Sequence, residues 1–289
     1  MNLIVPYKMS PVINGETEVY GIFGYPVKHS KSPIFQNAAF SHLGINAVYL
    51  PFTVKPEDLK KAVEGIRALF IKGVNITVPH KEEVIKYVNE LSEEVRFIGA
   101  SNTIKNVDGY LIAYNTDAYG FIQGLREIVD NISEKTVLVI GAGGASRAVI
   151  YGLIKEGVKK IYLANRTLKR AEEIIRDFSD LNRFIDQIIH PIPLSRIEDS
   201  LRDVNIIVNT TSVGLSDEDK PLFDYSRIER NHIVVDIIYR KTPLLKAAEE
   251  KGCLRQDGLP MLLYQGAKSF EIWTDKKAPV EIMKKALLK

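Results

Sequence analysis

The sequence predicts an α/β protein of two domains, each built on a mainly parallel sheet. Apolar runs of strand length alternate with amphipathic helical patterns, which is typical of βαβ units. One of these units contains a glycine-rich turn, and the pattern changes again after Gly258. We therefore expect a substrate domain over residues 1–117 plus 259–289, and a Rossmann-like nucleotide domain over residues 118–258.

Composition excludes several classes of function. The net charge of the 289 residues is only +3, which offers no argument for a nucleic-acid partner. No apolar run approaches the length of a membrane span. The one cysteine excludes an internal disulfide and fits a reducing cytoplasm, and the five histidines lack metal-ligand spacing. We expect a cytoplasmic protein without a metal, and whether it forms a homodimer stays open.

After an arm of uncertain structure over residues 1–18, the first half of the chain is predicted to alternate between strands and helices. Ser32 can cap a helix that has Pro33 in its first turn, and Pro79 is expected to open a helix with Lys81 in its first turn. Thr116 or Asp117 can cap a helix that extends to residue 129. The expected strands cover 19–24, 47–52, 73–78, 102–106 and 110–114, and the other expected helices cover 56–69 and 93–98.

The glycine-rich turn predicts a phosphate site. The buried run 137–140 is followed by a turn and by a helix over 147–155. In such a unit the first glycine permits the tight turn, the second allows close approach of a pyrophosphate, and the helix N-terminus supplies free N–H groups. The third glycine of the motif falls at Ser146, so a turn that binds nothing is a real alternative. The candidate residues are Gly141, Ala142, Gly143, Gly144 and Ala145.

The next strand, over 160–164, favours NADP over NAD. It ends in Asn165, Arg166 and Thr167, with Arg170 one turn further on, and no carboxylate stands there. An acidic residue at this point would hold the ribose 2′-OH of NAD, whereas an arginine accommodates a 2′-phosphate. The alternative is the solvated first turn of a helix over 168–178. Cations oppose the dipole there, so an arriving anion would relieve the conflict.

The remaining strands bring polar residues to the edge of the sheet where ligands bind. Thr210 and Ser212 follow a strand over 205–209, and Tyr239 follows a strand over 233–237. A further strand is expected over 188–190. A helix opens at Thr242 and Pro243, and the helices over 261–273 and 279–288 are expected to return to the first domain.

Four polar residues at element ends suggest proton chemistry. Lys81 alone is typical of a surface lysine, and Asp117 alone is typical of an N-cap. Thr77 and Asn102 also stand at element ends. Beside a dinucleotide site, however, hydride transfer from a secondary alcohol needs a group that takes the hydroxyl proton. Desolvation can lower the pKa of a lysine towards neutrality, and a nearby carboxylate raises that pKa again, so which of the two holds the proton stays open.

Seven segments together resemble the shikimate dehydrogenase family over roughly residues 19 to 275. Two positions depart from the family pattern. Gln36 stands where the family usually has a histidine, and Asp275 stands where a glycine often follows a Trp-Thr pair. The arm before residue 19 lies outside the match. The matching segments are Gly24-Tyr25-Pro26 with His29 to Pro33 and Asn37, Asn75 to Lys81, Gly99 to Thr103, Asn115 to Gly120, Gly141 to Ala148 with Asn165 to Thr167, Asn209 to Gly214, and Gly258 with Met261-Leu262 and Gln265-Gly266.

The resemblance implies interconversion of 3-dehydroshikimate and shikimate with NADP(H), in the route to aromatic amino acids. It implies that Lys81 and Asp117 are the catalytic pair. It further implies a carboxylate site at Ser30, Ser32 and Tyr239, and a ring-hydroxyl site at Thr77, Asn102 and Gln265. The cofactor residues are the glycine loop, Asn165, Arg166, Thr167, Arg170, Thr210, Ser212, Gly258 and Met261.

Three other functions compete with this one. An NAD-preferring quinate/shikimate dehydrogenase is disfavoured by Arg166, and a related class acting on folate or other carbonyl substrates is disfavoured by the Ser30 and Ser32 loop. A catalytically silent NADP-binding regulator should have lost Lys81 or Asp117, and both are present.

Overall fold

The chain folds into two α/β domains, each around its own six-stranded sheet. The computed structural model describes residues 13–179, 185–216 and 218–289. Most of the arm expected over residues 1–18 therefore lies outside the described residues. The boundaries at residues 117 and 258 stay a prediction.

The first sheet combines a parallel part with a hairpin. Its order is β2-β1-β3-β5-β6-β4, and the pairs β1–β2, β1–β3 and β4–β6 are parallel, whereas β3–β5 and β5–β6 are antiparallel. Asp108 and Gly109 form the expected turn of the hairpin, both at positive φ. The strands are β1 (Glu18–Gly24), β2 (Ala47–Thr53), β3 (Gly73–Ile76), β4 (Glu90–Leu91), β5 (Thr103–Val107) and β6 (Tyr110–Tyr114).

Four α-helices lie in this half of the chain, and their ends largely follow the sequence signals; the last of them buries Phe121 and Leu125 in the core of the nucleotide domain. The Ser92 hydroxyl caps one of them, and Gly99 ends it in the left-handed conformation. The expectation that Ser32 caps a helix is wrong, because the N-cap is Lys31 and no side chain caps that end. The helices are α1 (Ser32–His42), α2 (Leu59–Ala68), α3 (Glu93–Ile98) and α4 (Asp117–Arg126).

The second sheet is entirely parallel and has the order β12-β11-β10-β7-β8-β9. Counted within its own domain, this is the doubly wound order 3-2-1-4-5-6 of dinucleotide-binding folds. The short edge strand β12 was not expected, since three largely exposed residues carry no apolar signal. The strands are β7 (Thr136–Ile140), β8 (Lys160–Asn165), β9 (Ile189–Pro193), β10 (Ile206–Asn209), β11 (Ile233–Asp236) and β12 (Leu254–Gln256).

The helices of the second half cover its sheet, and the last two return to the first domain. Trp273 packs in the core of the first sheet, where its Nε1–H donates to the carbonyl of Ile104 at 2.9 Å. Met283 is fully buried in the same core. The helices are α5 (Gly144–Lys155), α6 (Leu168–Ser179), α7 (Ile185–Ile188), α8 (Ile197–Ser200), α9 (Pro243–Glu250), α10 (Leu259–Thr274) and α11 (Val280–Leu287).

Candidate active site

Lys81 lies in a turn after β3 and not in a helix. We expected Pro79 to open a helix, but the first regular element after β3 is the short 3₁₀ helix Val84–Tyr87. The Lys81 carbonyl accepts from the N–H of Ser101 at 2.8 Å, so a tertiary hydrogen bond replaces the helical one. The expectation that Lys81 lies in the first turn of a helix is therefore wrong.

Lys81 and Asp117 form a hydrogen-bonded charge pair near the junction of the two domains. The Nζ of Lys81 donates to Oδ2 of Asp117 at 2.6 Å, and the two side chains are 21% and 7% exposed. Asp117 is not an N-cap. It is the first residue of α4, and its own N–H donates to Oδ1 of Asn115. The carboxylate is free of capping and directed at the lysine.

Asn102 fixes the second oxygen of that carboxylate. Its Nδ2 donates to Oδ1 of Asp117 at 2.8 Å, while its Oδ1 accepts from the Thr116 N–H at 2.8 Å. The same Nδ2 lies 3.3 Å from Oε1 of Gln265, which reaches in from α10. Four of the expected site residues are thus brought together by elements from distant parts of the chain: Lys81, Asp117, Asn102 and Gln265.

A buried polar layer that was not identified as functional supports this group. Ser269 Oγ lies 2.7 Å from Thr103 Oγ1 and 3.1 Å from Thr116 Oγ1, and it accepts from Asn75 Nδ2. Ser269 stands four residues after Gln265, so the i, i+4 spacing on one helix face was the available signal. The layer limits the movement of Asn102 and Thr116 beneath the pair.

The hydroxyls of the first loop lie at the start of α1. Ser30 Oγ accepts from the Ser32 N–H at 3.3 Å, and Ser32 is buried against Tyr49. Burial raises the pKa of the Tyr49 hydroxyl, which donates to Oδ1 of Asn75 at 2.7 Å. Tyr49 therefore joins the serine loop to the polar layer below the pair.

Thr77 and Tyr239 border the same region from two sides. Thr77 follows β3, and its N–H donates to the carbonyl of Phe23 at 2.9 Å, at the end of β1. Tyr239 follows β11 in the other domain and is 42% exposed. Its ring lies 5.9 Å from Nζ of Lys31, in the serine loop. The structure thus brings Tyr239 to the loop of Ser30 and Ser32.

The glycine turn has the backbone that its sequence predicts. Gly141 adopts φ +114°, and an ideal Cβ there would lie 2.6 Å from Thr210 Oγ1. Gly143 is the N-cap of α5 and has open space where a side chain would be. No side chain caps α5, so the first N–H groups of the helix, at Gly144 and Ala145, stay available to an anion. With Ala142 completing the turn, the loop fits a pyrophosphate.

Two side chains modify that fit. Oε1 of Glu82, the neighbour of Lys81, lies 3.7 Å from the ideal Cβ position of Gly144. The turn that carries Lys81 therefore faces the glycine loop across the domain junction. Ser146, at the position of the third glycine, is fully buried, and its hydroxyl has no partner among the described residues.

The end of β8 presents cations to solvent. The Asn165 side chain donates to the carbonyl of Thr167 at 2.9 Å, which shapes the turn into α6. Arg166, Thr167 and Arg170 are exposed. An exposed arginine at this strand end fits the 2′-phosphate that the sequence predicts.

The opposite side of the cofactor region rests on buried polar contacts. Thr210 Oγ1 donates to the carbonyl of Ile140, and Ser212 is exposed two residues later. Below them, Asn209 Nδ2 donates to the carboxylate of Asp236 at 3.0 Å. Burial raises the pKa of Asp236, although three donated hydrogen bonds oppose this shift. Through these hydrogen bonds Asp236 supports the ends of β10 and β11.

Gly258 and Met261 lie where α10 begins. An ideal Cβ on Gly258 would lie 1.9 Å from the carbonyl oxygen of Ile237, so no other residue fits there. Met261 is half-buried against the core of the nucleotide domain. Close contact between α10 and the loop after β11 therefore depends on this glycine.

A cavity of about 670 Å³ lies beside the other face of α4. Its lining includes Tyr119, Tyr151 and Lys268 but neither Lys81 nor Asp117. Its side chains are largely paired among themselves, as in the contact of Arg126 with Glu156 at 2.9 Å. The site is therefore assigned to the face of α4 that carries the charge pair.

Metal and membrane features are missing from the described part of the chain. Within residues 13–179, 185–216 and 218–289, no three His, Cys, Asp or Glu side chains form a group that could hold a metal. Over the same residues, no helix is long and apolar enough to cross a bilayer.

Comparisons with known proteins identify the family. The model of the shikimate dehydrogenase substrate binding domain matches residues 22–104, that of shikimate/quinate 5-dehydrogenase matches 124–237, and that of the shikimate 5′-dehydrogenase C-terminal domain matches 258–288. A shikimate dehydrogenase (NADP(+)) of Aquifex aeolicus is 47% identical over 276 residues, covering 96% of this chain and 98% of that protein. The chain belongs to the shikimate dehydrogenase family.

Solved structures of this family agree in fold. A shikimate dehydrogenase in complex with NADP⁺ is 38% identical, with a TM-score of 0.90, and the match covers 97% of this chain and 98% of that one. The Thermus thermophilus enzyme in complex with NADP(H) and shikimate is 33% identical, with a TM-score of 0.83, covering 94% and 98%. The predicted family and fold class are therefore confirmed.

Proposed function

We propose that the chain interconverts 3-dehydroshikimate and shikimate with NADP(H). The observation that carries this proposal is the Lys81–Asp117 pair at 2.6 Å. Asn102 holds the Asp117 carboxylate, and the turn that carries Lys81 faces the glycine loop. A proton-handling pair and a dinucleotide loop on opposite sides of one junction are what hydride transfer from an alcohol requires.

Lys81 and Asp117 are the proposed catalytic pair. One N–H of Lys81 is used by Asp117, so the remaining positions of Nζ are left for the substrate hydroxyl. In the oxidation direction, the hydroxyl O–H bond breaks and the proton passes to the pair. NADP⁺ held by residues 141–145 would supply the hydride acceptor for the carbon that carries this hydroxyl. Asn102 keeps the carboxylate oriented throughout.

The substrate carboxylate is assigned to Ser30, Ser32 and Tyr239. Both serines lie at the start of α1, and the tyrosine approaches them from the other domain. Thr77, Asn102 and Gln265 are assigned to the ring hydroxyls. Amide groups suit a polyol because they both donate and accept hydrogen bonds.

The cofactor is assigned to the loop and strand ends of the second sheet. Residues 141–145 would hold the pyrophosphate, and Arg166 and Arg170 the 2′-phosphate, because these cations are exposed at the end of β8. Asn165, Thr167, Thr210, Ser212, Gly258 and Met261 complete the set.

As part of the same proposal, the domains divide at residues 117 and 258, and the substrate and cofactor bind in a cleft between them. A single cysteine, Cys253, suits a reducing compartment, so we place the reaction in the cytoplasm. No role for nucleic acid is proposed. A homodimer stays a prediction that a measurement of mass in solution would test.

The test is NADP⁺ reduction with shikimate, followed at the nicotinamide absorbance and repeated with NAD⁺ and with quinate. We expect turnover on shikimate with NADP⁺ and little with the alternatives. Comparable rates with NAD⁺ or quinate would favour a quinate/shikimate dehydrogenase. A folded protein that binds NADP⁺ and turns over no pair would favour a silent regulator.

A further inference from the structure

Lys31 makes a contact that crosses between the two domains at the substrate end of the junction. It stands between Ser30 and Ser32 and is the N-cap residue of α1. Its Nζ lies 5.9 Å from the centroid of the Tyr239 ring, which follows β11 in the nucleotide domain. An ammonium at this distance is attracted by the negative face of the ring.

The contact leaves the charge of Lys31 uncompensated. The aromatic ring is neutral, and no carboxylate of the described residues forms an ion pair with Lys31. The residue also lies at the positive end of the dipole of α1, where a cation is disfavoured. An anion arriving at Ser30 and Ser32 would relieve both conditions.

We propose that Lys31 is the charged member of the substrate carboxylate site. The Tyr239 ring acts as a positioning group that holds the Lys31 amine over the serine hydroxyls. The serines then orient the carboxylate through neutral hydrogen bonds, and Lys31 selects an anionic substrate over an uncharged one. This inference rests on the proposed function, since it takes shikimate as the anion.

The experiment compares shikimate with its methyl ester, which keeps the ring and removes the charge. Lys31→Met keeps most of the side-chain stem and removes the ammonium. We expect it to raise KM for shikimate about tenfold, a typical effect of losing one partly exposed charged partner, and to leave kcat nearly unchanged. KM for the methyl ester should be the same in wild type and variant.

Three variants serve as controls. Lys28→Met removes an exposed lysine from the same loop and should match wild type. Lys31→Arg keeps the charge and should restore most of the affinity for shikimate. Tyr239→Phe keeps the ring, so Lys31→Met should have the same effect in that background.

Turnover and binding are measured separately so that the two proposals fail differently. Calorimetric titration of shikimate into the cofactor-free protein reports on Lys31 without turnover. An inactive wild type that binds shikimate more tightly than Lys31→Met supports the site and contradicts the proposed reaction. Equal affinity in wild type and Lys31→Met, an equal loss with the methyl ester, or no binding by either protein overturns the role of Lys31.

Discussion

The two sides of the proposed site are built in different ways. On the substrate side, the site is made of side chains: Lys81 and Asn102 both hydrogen-bond to Asp117, and the group rests on a buried polar layer. On the cofactor side, the site is made mainly of backbone, with a positive-φ glycine and an uncapped helix N-terminus, while Arg166 extends into solvent. One side is assembled before any ligand arrives, and the other offers open groups.

The difference between the two sides matches their proposed tasks, which are proton transfer on the substrate side and dinucleotide binding on the cofactor side. A reacting proton needs groups fixed to within a fraction of an ångström, which buried hydrogen bonds provide. A dinucleotide is long and carries several charges, so free N–H groups and exposed cations suffice to bind it. Changes to Lys81, Asp117 or Asn102 should therefore reduce the rate, and changes on the cofactor side should alter cofactor affinity and cofactor choice.

The largest expected effect is that of Lys81→Ala. Loss of the proton-handling group should lower kcat by about 10²- to 10⁴-fold in steady-state assays. Asp117 keeps the hydrogen bond from Asn102, so circular dichroism should show a folded protein. Lys86→Ala is the matched control, because Lys86 lies in the same segment and, among the described residues, forms its ion pair with half-exposed Glu83. Retained turnover in Lys81→Ala would refute its catalytic role.

Alanine at two glycines of one loop should separate folding from binding. Gly141→Ala meets Thr210 and requires a strained positive φ, so it should destabilise the protein by about 1–3 kcal/mol in chemical denaturation. Gly143→Ala meets no atom and should cost less stability, about 0.5 kcal/mol for alanine in place of an N-cap glycine, but its methyl group would crowd a pyrophosphate and weaken NADP⁺ binding. Equal effects of the two variants on stability would contradict the described loop.

Arg166→Ala should shift cofactor choice. Removing an exposed cation from a 2′-phosphate should weaken NADP⁺ binding about tenfold and leave NAD⁺ binding unchanged, as measured by titration of each cofactor. Arg176→Ala, on an exposed position further along α6, is the control. A loss shared equally by both cofactors would assign Arg166 to another part of the dinucleotide.

The smallest expected effect is that of Glu82→Gln. The carboxylate lies near Gly144, where it competes with a pyrophosphate for the start of α5. Removing its charge should tighten NADP⁺ binding by about two- to fivefold, the range of exposed charge interactions. Glu57→Gln, at an exposed position of the same domain, should change nothing. Weaker binding in Glu82→Gln would mean that this side chain supports the cofactor.

Local signals in the sequence predicted much of the frame. The glycine turn and the hairpin at Asp108 and Gly109 have fixed backbone requirements, so short stretches of sequence identify them. The helix predicted after Pro79 does not form, because a hydrogen bond from the Ser101 N–H takes the place of a local helical one. Strand β12 was not predicted either, since it is a strand through its pairing with β11 and not through a local apolar pattern.

The site was predicted less completely for the same reason. Family motifs supplied Lys81, Asp117, Asn102 and Gln265, and the structure brings these residues together. The contact of Lys31 with Tyr239 joins residues more than two hundred positions apart. No periodicity encodes such a contact, since it exists only once the two domains face each other.

Calorimetric titration of shikimate into the cofactor-free protein is the most direct test of the claim that the substrate side is assembled in advance. We predict that shikimate binds without NADP⁺, and that adding saturating NADP⁺ changes its affinity only a few-fold. Binding that requires NADP⁺ would contradict the account, since the charge pair and its polar layer would then not form a site by themselves.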